Sequence, residues 1–175
     1  MLNALLASDW VSPSVDYHAL APEIVLGGGI VLLLLLDLFL SDAKKWVLTP
    51  VASFSLLGAF IPVLTIALNT DGARSLFDGR YVVDDFSLVL KALFILAGYV
   101  VVLLSADHIR EGNYYQGEYW FLMLSSILGM VMMASSRDLV SIFVSLEFLS
   151  IPAYMLAAWR KRDPKSNEAG IKYYL

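Results

Sequence analysis

Five long apolar stretches, separated by shorter polar segments, account for most of this 175-residue chain. Each is about long enough to cross a bilayer core of about 30 Å as a helix, which rises about 1.5 Å per residue. The pattern therefore predicts an all-α, polytopic transmembrane helix bundle. We predict spans at residues 21–40, 46–68, 86–105, 119–135 and 139–158.

The polar segments predict how the spans are connected. Residues 1–20 are mixed in polarity and are predicted to form an interfacial N-terminal segment. The longest connection lies between spans two and three, and its YVVDD end is predicted to be a short strand or hairpin arm. Asp163 followed by Pro164 is a good helix start, so a sixth helix begins there. The predicted organisation is thus the N-terminal segment, three transmembrane helices within 21–105, and a second group within 119–175.

Composition supports a membrane protein and excludes several other classes. Hydrophobic residues make up 59% of the chain, charged residues 16%, and the mean hydropathy is +0.72. The net charge of −4 gives no reason to expect a nucleic-acid partner. The chain contains no cysteine and only two histidines, which excludes disulfides and argues against iron–sulfur, haem and zinc sites.

Lysine and arginine are distributed unequally between the two sides of the predicted bundle. Seven follow spans one, three and five, whereas three lie on the opposite side: Arg74, Arg80 and Arg137. The positive-inside rule then places the N-terminus outside the cell and the segment WRKRDPK in the cytoplasm.

Glu147 lies near the middle of the fifth span and is the main candidate for proton handling. A charged group at bilayer depth is unfavourable by about 2.5–3.5 kcal/mol on insertion scales, so such a residue is usually buried against a partner or faces water. Pro152, five residues later, predicts a helix kink with a free backbone acceptor. Ser150 and Tyr154 extend a possible polar lining from the same helix. The alternative is a protonated glutamate that only holds helices together.

Other polar and small residues within the spans have simpler interpretations. Lys91 lies in the first two turns of span three and is expected to extend its amine to the surface, which favours a structural role over a role in a proton pathway. Gly27, Gly28 and Gly29 are predicted to allow close helix approach. Lys172 on the sixth helix follows Glu168 by four residues, so a surface ion pair and a membrane-embedded lysine remain equally open.

The segment from Ser145 to Leu175 resembles the antiporter-like subunits of proton-pumping respiratory complex I, and is most similar to those called subunit N. The resemblance rests on the L-E-x-x-S-x-P and E-A-x-x-K-Y patterns, formed here by Leu146, Glu147, Ser150, Pro152, Glu168, Ala169, Lys172 and Tyr173. Asp85 and Phe86, at the entry to span three, give weaker support.

The resemblance implies a proton-translocating subunit within a fold of fourteen helices, of which helices four to eight and nine to thirteen are inverted repeats. Glu147 and Lys172 would be its proton-pathway residues, and the partner lysine of Glu147 would lie on a broken seventh helix. The chain itself would bind no cofactor, while the complex would use NADH, FMN, iron–sulfur clusters and quinone. Other membrane and peripheral subunits, together with lipid, would be the partners, and the location would be a bacterial cell membrane.

Two alternative functions remain open. A subunit of a cation/proton antiporter or of a membrane-bound hydrogenase would share the glutamate and lysine pattern. A purely structural membrane subunit would use Glu147 for helix packing alone. Because the fourteen-helix fold continues well beyond helix six, we expect this sequence to be a piece of a longer polypeptide.

Overall fold

A computed structural model of the chain describes residues 15–69, 72–111, 116–160 and 163–175. Its elements follow in order: helix α1 (Ala21–Phe39), a 3-10 turn (Asp42–Val47), α2 (Leu48–Asn69), strand β1 (Arg74–Leu76), strand β2 (Tyr81–Val83), α3 (Asp85–Glu111), α4 (Gln116–Ser135), α5 (Leu139–Ala157) and α6 (Pro164–Tyr174). Helices α1 to α5 are long and apolar enough to cross a membrane. The five predicted spans and the start of a sixth helix are therefore confirmed. The N-terminal segment predicted for residues 1–20 lies mostly outside the described residues.

The helix ends follow the local sequence. Pro22 stands in the first turn of α1, where a missing N–H is harmless. The carboxylate of Asp138 accepts from the backbone N–H of Ser141 at the start of α5 (3.3 Å), and Asp163 caps α6 through the N–H of Lys165 (3.0 Å). Helix α3 is six residues longer at its C-terminal end than predicted, because residues 106–111 remain helical.

Helices α1 to α4 form one packed group, and α5 lies at its side. Helix α1 packs on α2 and α4, α3 packs on α2 and α4, and α5 packs chiefly on α4 and α6. Only 11% of the residues in the α5 span are buried, against 28–50% in the other four. The apolar core is therefore centred on α1 to α4, with residues such as Leu26, Leu56, Ile95, Leu124 and Ile127 fully buried.

A two-stranded hairpin covers one end of this bundle. Strands β1 and β2 are antiparallel, with Arg74 opposite Val83. Their turn has positive φ at Phe77, Asp78 and Gly79, the last at +85°, a conformation that glycine adopts without a steric penalty. The second strand confirms the prediction for YVVDD. We call this end, where α1, α3 and α5 begin and α2 and α4 finish, the hairpin end.

Polar contacts attach the hairpin to several helices at once. The Arg74 guanidinium bonds Asp16, which lies just before α1, at 3.0 Å. Tyr81 forms an isolated antiparallel bridge with Ser136, and the N–H of Arg137 donates to the Arg80 carbonyl at 2.9 Å. The connection between α4 and α5 is therefore fixed to the hairpin.

Glycines permit close approach at several helix crossings, three of which lie within the apolar spans. A Cβ on Gly29 would lie 2.4 Å from the Ser55 hydroxyl of α2, one on Gly98 would lie 2.5 Å from Ile127, and one on Gly129 would lie 2.4 Å from the Leu149 backbone nitrogen. The prediction for the glycine triplet of α1 is thus confirmed for Gly29 only. A Cβ on Gly27 or Gly28 would meet nothing within 4 Å.

Candidate functional site

Glu147 occupies the middle of α5, as predicted, and its side chain is half-buried. Its chain neighbours Leu146 and Phe148 are 44% and 45% exposed, so this part of α5 is largely uncovered. Among the described residues, the Glu147 carboxylate has no hydrogen bond and no ion pair within the distances that define them. A carboxylate at this depth without a counter-charge is the most unusual polar group of the fifth span.

The remaining members of the predicted polar lining lie between α5 and α6. Ser150 and Tyr154 are both half-buried. The Tyr154 ring makes edge-on contacts with Tyr173 and Tyr174 of α6, with centroid distances of 5.1 and 5.6 Å. Tyr154 therefore contributes to the packing of the sixth helix, whichever role its hydroxyl has.

The backbone beside Glu147 lies at a close crossing of α4 and α5. Gly129 lies against the backbone of Phe148 and Leu149, and the Ser126 hydroxyl donates to the Leu149 carbonyl at 3.1 Å. Pro152 is buried, and α5 continues through it to Ala157. The α4 surface thus holds the backbone adjoining Glu147, and no residue in the described part of α4 pairs with its carboxylate.

Lys172 is not brought to Glu147. Its ammonium group pairs with Glu168 at 2.5 Å, and the two side chains are 72% and 61% exposed. The surface ion pair, one of the two possibilities left open by the spacing, is the arrangement observed in this part of the chain.

A second acidic site, which the sequence did not suggest, lies near the hairpin end. The Lys91 ammonium of α3 is 2.7 Å from the Glu23 carboxylate of α1, and the two side chains are 0% and 11% exposed. The Tyr81 hydroxyl of β2 donates to the same carboxylate oxygen at 2.6 Å and lies 3.3 Å from the Lys91 amine. We call these three residues the Glu23–Lys91–Tyr81 cluster.

The expectation that Lys91 reaches the surface is therefore wrong. The hairpin covers the end of α3, so the amine has a buried carboxylate as its partner rather than water. A usable signal was present in the chain: α1 and α3 run in the same direction, and Glu23 and Lys91 both lie within the first two turns of their helices. Because Glu23 and Lys91 lie at a similar distance from the hairpin end, their side chains can form a pair.

Electrostatics near the hairpin reflect this burial. Burial, together with the charge of the adjacent Glu23 carboxylate and the hydrogen bond to it, raises the pKa of Tyr81 well above its usual range. The backbone N–H of Ser87, at 2.8 Å, and the Arg137 guanidinium lower the pKa of Asp84, although partial burial opposes the shift. The phenol is therefore neutral and Asp84 is ionised at neutral pH. No group of three or more potential metal ligands occurs among the described residues.

The chain is similar to known membrane proteins in sequence and in fold. A family profile described as "NADH:quinone oxidoreductase/Mrp antiporter, TM" matches residues 136–175, which include α5 and α6. The "NAD(P)H-quinone oxidoreductase subunit 2" of Synechococcus elongatus is 36% identical over 169 residues, covering 92% of this chain and 32% of that relative. The "NADH-quinone oxidoreductase subunit N" of Geobacillus kaustophilus is 36% identical over 162 residues, covering 91% of this chain and 32% of that relative.

A solved structure extends the likeness from sequence to fold. A chain of respiratory complex I from Thermus thermophilus with bound aureothin matches 87% of this chain with a TM-score of 0.70 and 29% identity. The chain is an antiporter-like segment of the respiratory complex I family. The multi-pass helical fold is the one expected for a membrane subunit of this family. The chain spans about a third of the length of the antiporter-like relatives that it matches.

Proposed function

We propose that this chain provides part of the proton path in a membrane subunit of a proton-pumping NADH:quinone oxidoreductase, with quinone reduction taking place elsewhere in the complex. The single observation that carries the proposal is Glu147, a carboxylate at mid-helix in an apolar span with no counter-charge among the described residues. Relatives with 36% identity, named as quinone oxidoreductase subunits, support the assignment to this complex.

The site residues follow from this proposal. Glu147 would accept and release protons, and Lys172, exposed on α6, would exchange them after losing its pair with Glu168. Ser150 and Tyr154 would line the path, and Pro152 would fix the helix geometry beside it. Residues 119–175 would form the first part of an inverted-repeat proton channel, in accordance with the family match to α5 and α6.

The surroundings of the chain are part of the same proposal. Its partners would be the other membrane and peripheral subunits, with lipid around the exposed apolar faces. The complex would use NADH, FMN, iron–sulfur clusters and quinone, none of them bound by this chain. The membrane would be a bacterial plasma membrane. The distribution of lysine and arginine supports an orientation with the hairpin end outside.

The replacement Glu147→Gln tests the proposal in the assembled complex. The glutamine has nearly the same shape but cannot hold a dissociable proton, so we expect normal assembly and less proton pumping per NADH oxidised. Both quantities are measured in inside-out membrane vesicles, by subunit content and by quenching of a pH-sensitive dye. Asp78→Asn, at an exposed position in the hairpin turn, also removes one carboxylate charge and should have no effect.

The opposite result would support a purely structural subunit. In that case Glu147→Gln would impair assembly, and each assembled complex would pump normally. A cation/proton antiporter remains the second candidate, since the matched profile names both kinds of protein. Inhibitors of the quinone site separate the two, because they abolish pumping by a quinone-linked complex and leave a stand-alone antiporter active.

A further inference from the structure

The Glu23–Lys91–Tyr81 cluster has no part in the function proposed above. It is a buried acid–base pair, as the Lys91 side chain is fully buried and that of Glu23 is 11% exposed. The nearest core residues along the two helices, Leu26 and Ile95, are apolar and fully buried. The two residues therefore form a buried acid–base pair next to the apolar core of the bundle.

Stability alone does not explain such a pair. Taking two charges out of water offsets much of their mutual attraction, and well-packed apolar residues in their place are often equally or more stabilising. An ionisable residue inside a membrane helix is thus a functional candidate in its own right, together with its partner.

One carboxylate oxygen of Glu23 is free to take part in chemistry. Oε1 receives both the Lys91 ammonium and the Tyr81 hydroxyl, whereas Oε2 is buried and has no hydrogen-bond partner among the described residues. Glu23 also lies in the first turn of α1, close to the hairpin surface. The cluster therefore contains a buried carboxylate with one oxygen that has no hydrogen bond among the described residues. This carboxylate lies close to the N-terminal end of α1.

We propose that the Glu23–Lys91–Tyr81 cluster is a second proton-transfer site, located at the hairpin end; this inference rests on the proton-pumping function proposed above. A proton arriving at Oε2 converts the Glu23 carboxylate to a carboxylic acid and leaves the Lys91 ammonium without its counter-ion. Because an unpaired ammonium is unfavourable in this buried position, the proton leaves again and the ion pair re-forms. One proton enters and one departs, so the site transfers protons and does not store them.

Hydroxyl groups extend from this cluster toward α5. The buried Ser135 hydroxyl lies beside the Tyr81 phenol and has no hydrogen bond of normal geometry within the described part of the chain. The next residue, Ser136, has its hydroxyl 3.2 Å from that of Ser145, a buried α5 residue two positions before Glu147. The hydroxyls of Ser136 and Ser145 also donate to the backbone carbonyls of Met132 (2.9 Å) and Ser141 (2.7 Å), so these groups approach α5 without forming one continuous hydrogen-bonded chain.

The surrounding charges leave the pair electrically balanced. Asp84 is the other carboxylate that acts on Lys91, and it is itself paired with Arg137. Arg74, on the first strand of the hairpin, bonds Asp16. Each of these acidic groups has its own basic partner, and Glu23 is the carboxylate that pairs with Lys91.

The experiment uses two variants of the whole complex in inside-out vesicles. The double variant Glu23→Gln/Lys91→Met removes both charges together, which avoids leaving one charge buried and unpaired. Tyr81→Phe keeps the ion pair and removes only the bridging hydroxyl. The matched control Asp107→Asn/Arg110→Met removes an exposed pair from the same helix, α3.

We expect both cluster variants to assemble and to oxidise NADH, with a loss in protons moved per NADH relative to the control. Full proton yield in the double variant would overturn the proposal. If the double variant fails to assemble, Tyr81→Phe decides: a reduced yield supports the site and an unchanged yield refutes it. Glu147→Gln is measured in parallel, because a loss there with full yield in the cluster variants refutes this site alone, whereas no loss at Glu147 refutes the proposed function.

Discussion

Glu23 and Glu147 are both carboxylates within membrane helices, and the fold treats them in opposite ways. Glu23 has a buried lysine at 2.7 Å, a tyrosine hydroxyl at 2.6 Å and a hairpin above it. Glu147 is half-buried on the least covered span and has no counter-charge among the described residues. The difference shows that residue type and apolar context do not determine the state of a membrane carboxylate, since the packing of neighbouring elements supplies or withholds its partner.

The largest expected effect comes from breaking the buried pair on one side. Lys91→Met leaves the Glu23 carboxylate buried without its cation, and we expect a loss of about 3–5 kcal/mol in the free energy of unfolding. Thermal unfolding of the complete protein in detergent measures it. Arg110→Met, at an exposed pair on the same helix, serves as the control and should change little. An equally small effect at Lys91 would show that the pair is not buried in the membrane.

The next effect concerns the position of Glu147. Gly129→Ala places a methyl group 2.4 Å from the Leu149 backbone nitrogen, so α4 and α5 must separate. We expect a destabilisation of about 2 kcal/mol, typical of overpacking, seen as a lower thermal midpoint. Gly28→Ala, which meets nothing within 4 Å, should be neutral or slightly stabilising. Identical behaviour of the two variants would contradict the close crossing.

An intermediate effect is expected for Asp84, a carboxylate at the hairpin end whose contribution to stability depends on pH. The folded-state pKa of Asp84 is lowered, so its stabilisation is present above its unfolded pKa of about 3.9 and is lost as the pH falls through the folded value. Asp84→Asn should therefore remove about 1 kcal/mol at neutral pH and weaken the loss of stability in acid. Thermal midpoints between pH 7 and pH 3 measure both changes, with exposed Asp107→Asn as control. If the thermal midpoint of Asp84→Asn fell with pH as steeply as that of the unsubstituted protein, Asp84 would not stabilise the hairpin end.

The smallest effect is expected at the α6 surface pair. Glu168→Gln removes an exposed partner of Lys172, and the loss should be about 0.3–0.5 kcal/mol. Because exposed pairs are screened, high salt should reduce the difference from the unsubstituted protein. A loss as large as that of Lys91→Met would mean that other parts of the assembly bury this pair.

Sequence reasoning recovered those features that depend on local composition. The spans follow from apolar runs of sufficient length, α6 from its Asp163–Pro164 start, and the strand from YVVDD. The depth of Glu147 followed from its place within a span. Lys91 was misjudged because its burial depends on a hairpin folded over the helix end, a tertiary arrangement that the distance of a residue from a helix terminus does not reveal.

Partner choice was the second limit of the sequence. The sequence does not distinguish Glu23, because a carboxylate in the first turn of a helix is ordinarily a surface residue with a favourable interaction with the helix dipole. Its pairing depends on α1 and α3 beginning at the same end and on Tyr81 closing over both. For the same reason, the sequence could not show whether Glu147 has a basic partner. Lys172, the lysine in the nearby sequence, pairs with Glu168 on its own helix.

The attachment of Arg137 and Ser136 to the second strand has a mechanical consequence for α5. The residues just before its first turn are anchored by backbone contacts to Arg80 and Tyr81, whereas its other end, near Ala157, joins α6 through a short connection. Helix α5 is held a second time beside Glu147, where Gly129 and Ser126 of α4 contact its backbone. Any tilt of α5 during a working cycle would therefore displace Tyr154, which lies beyond both points, more than Glu147 or Ser141.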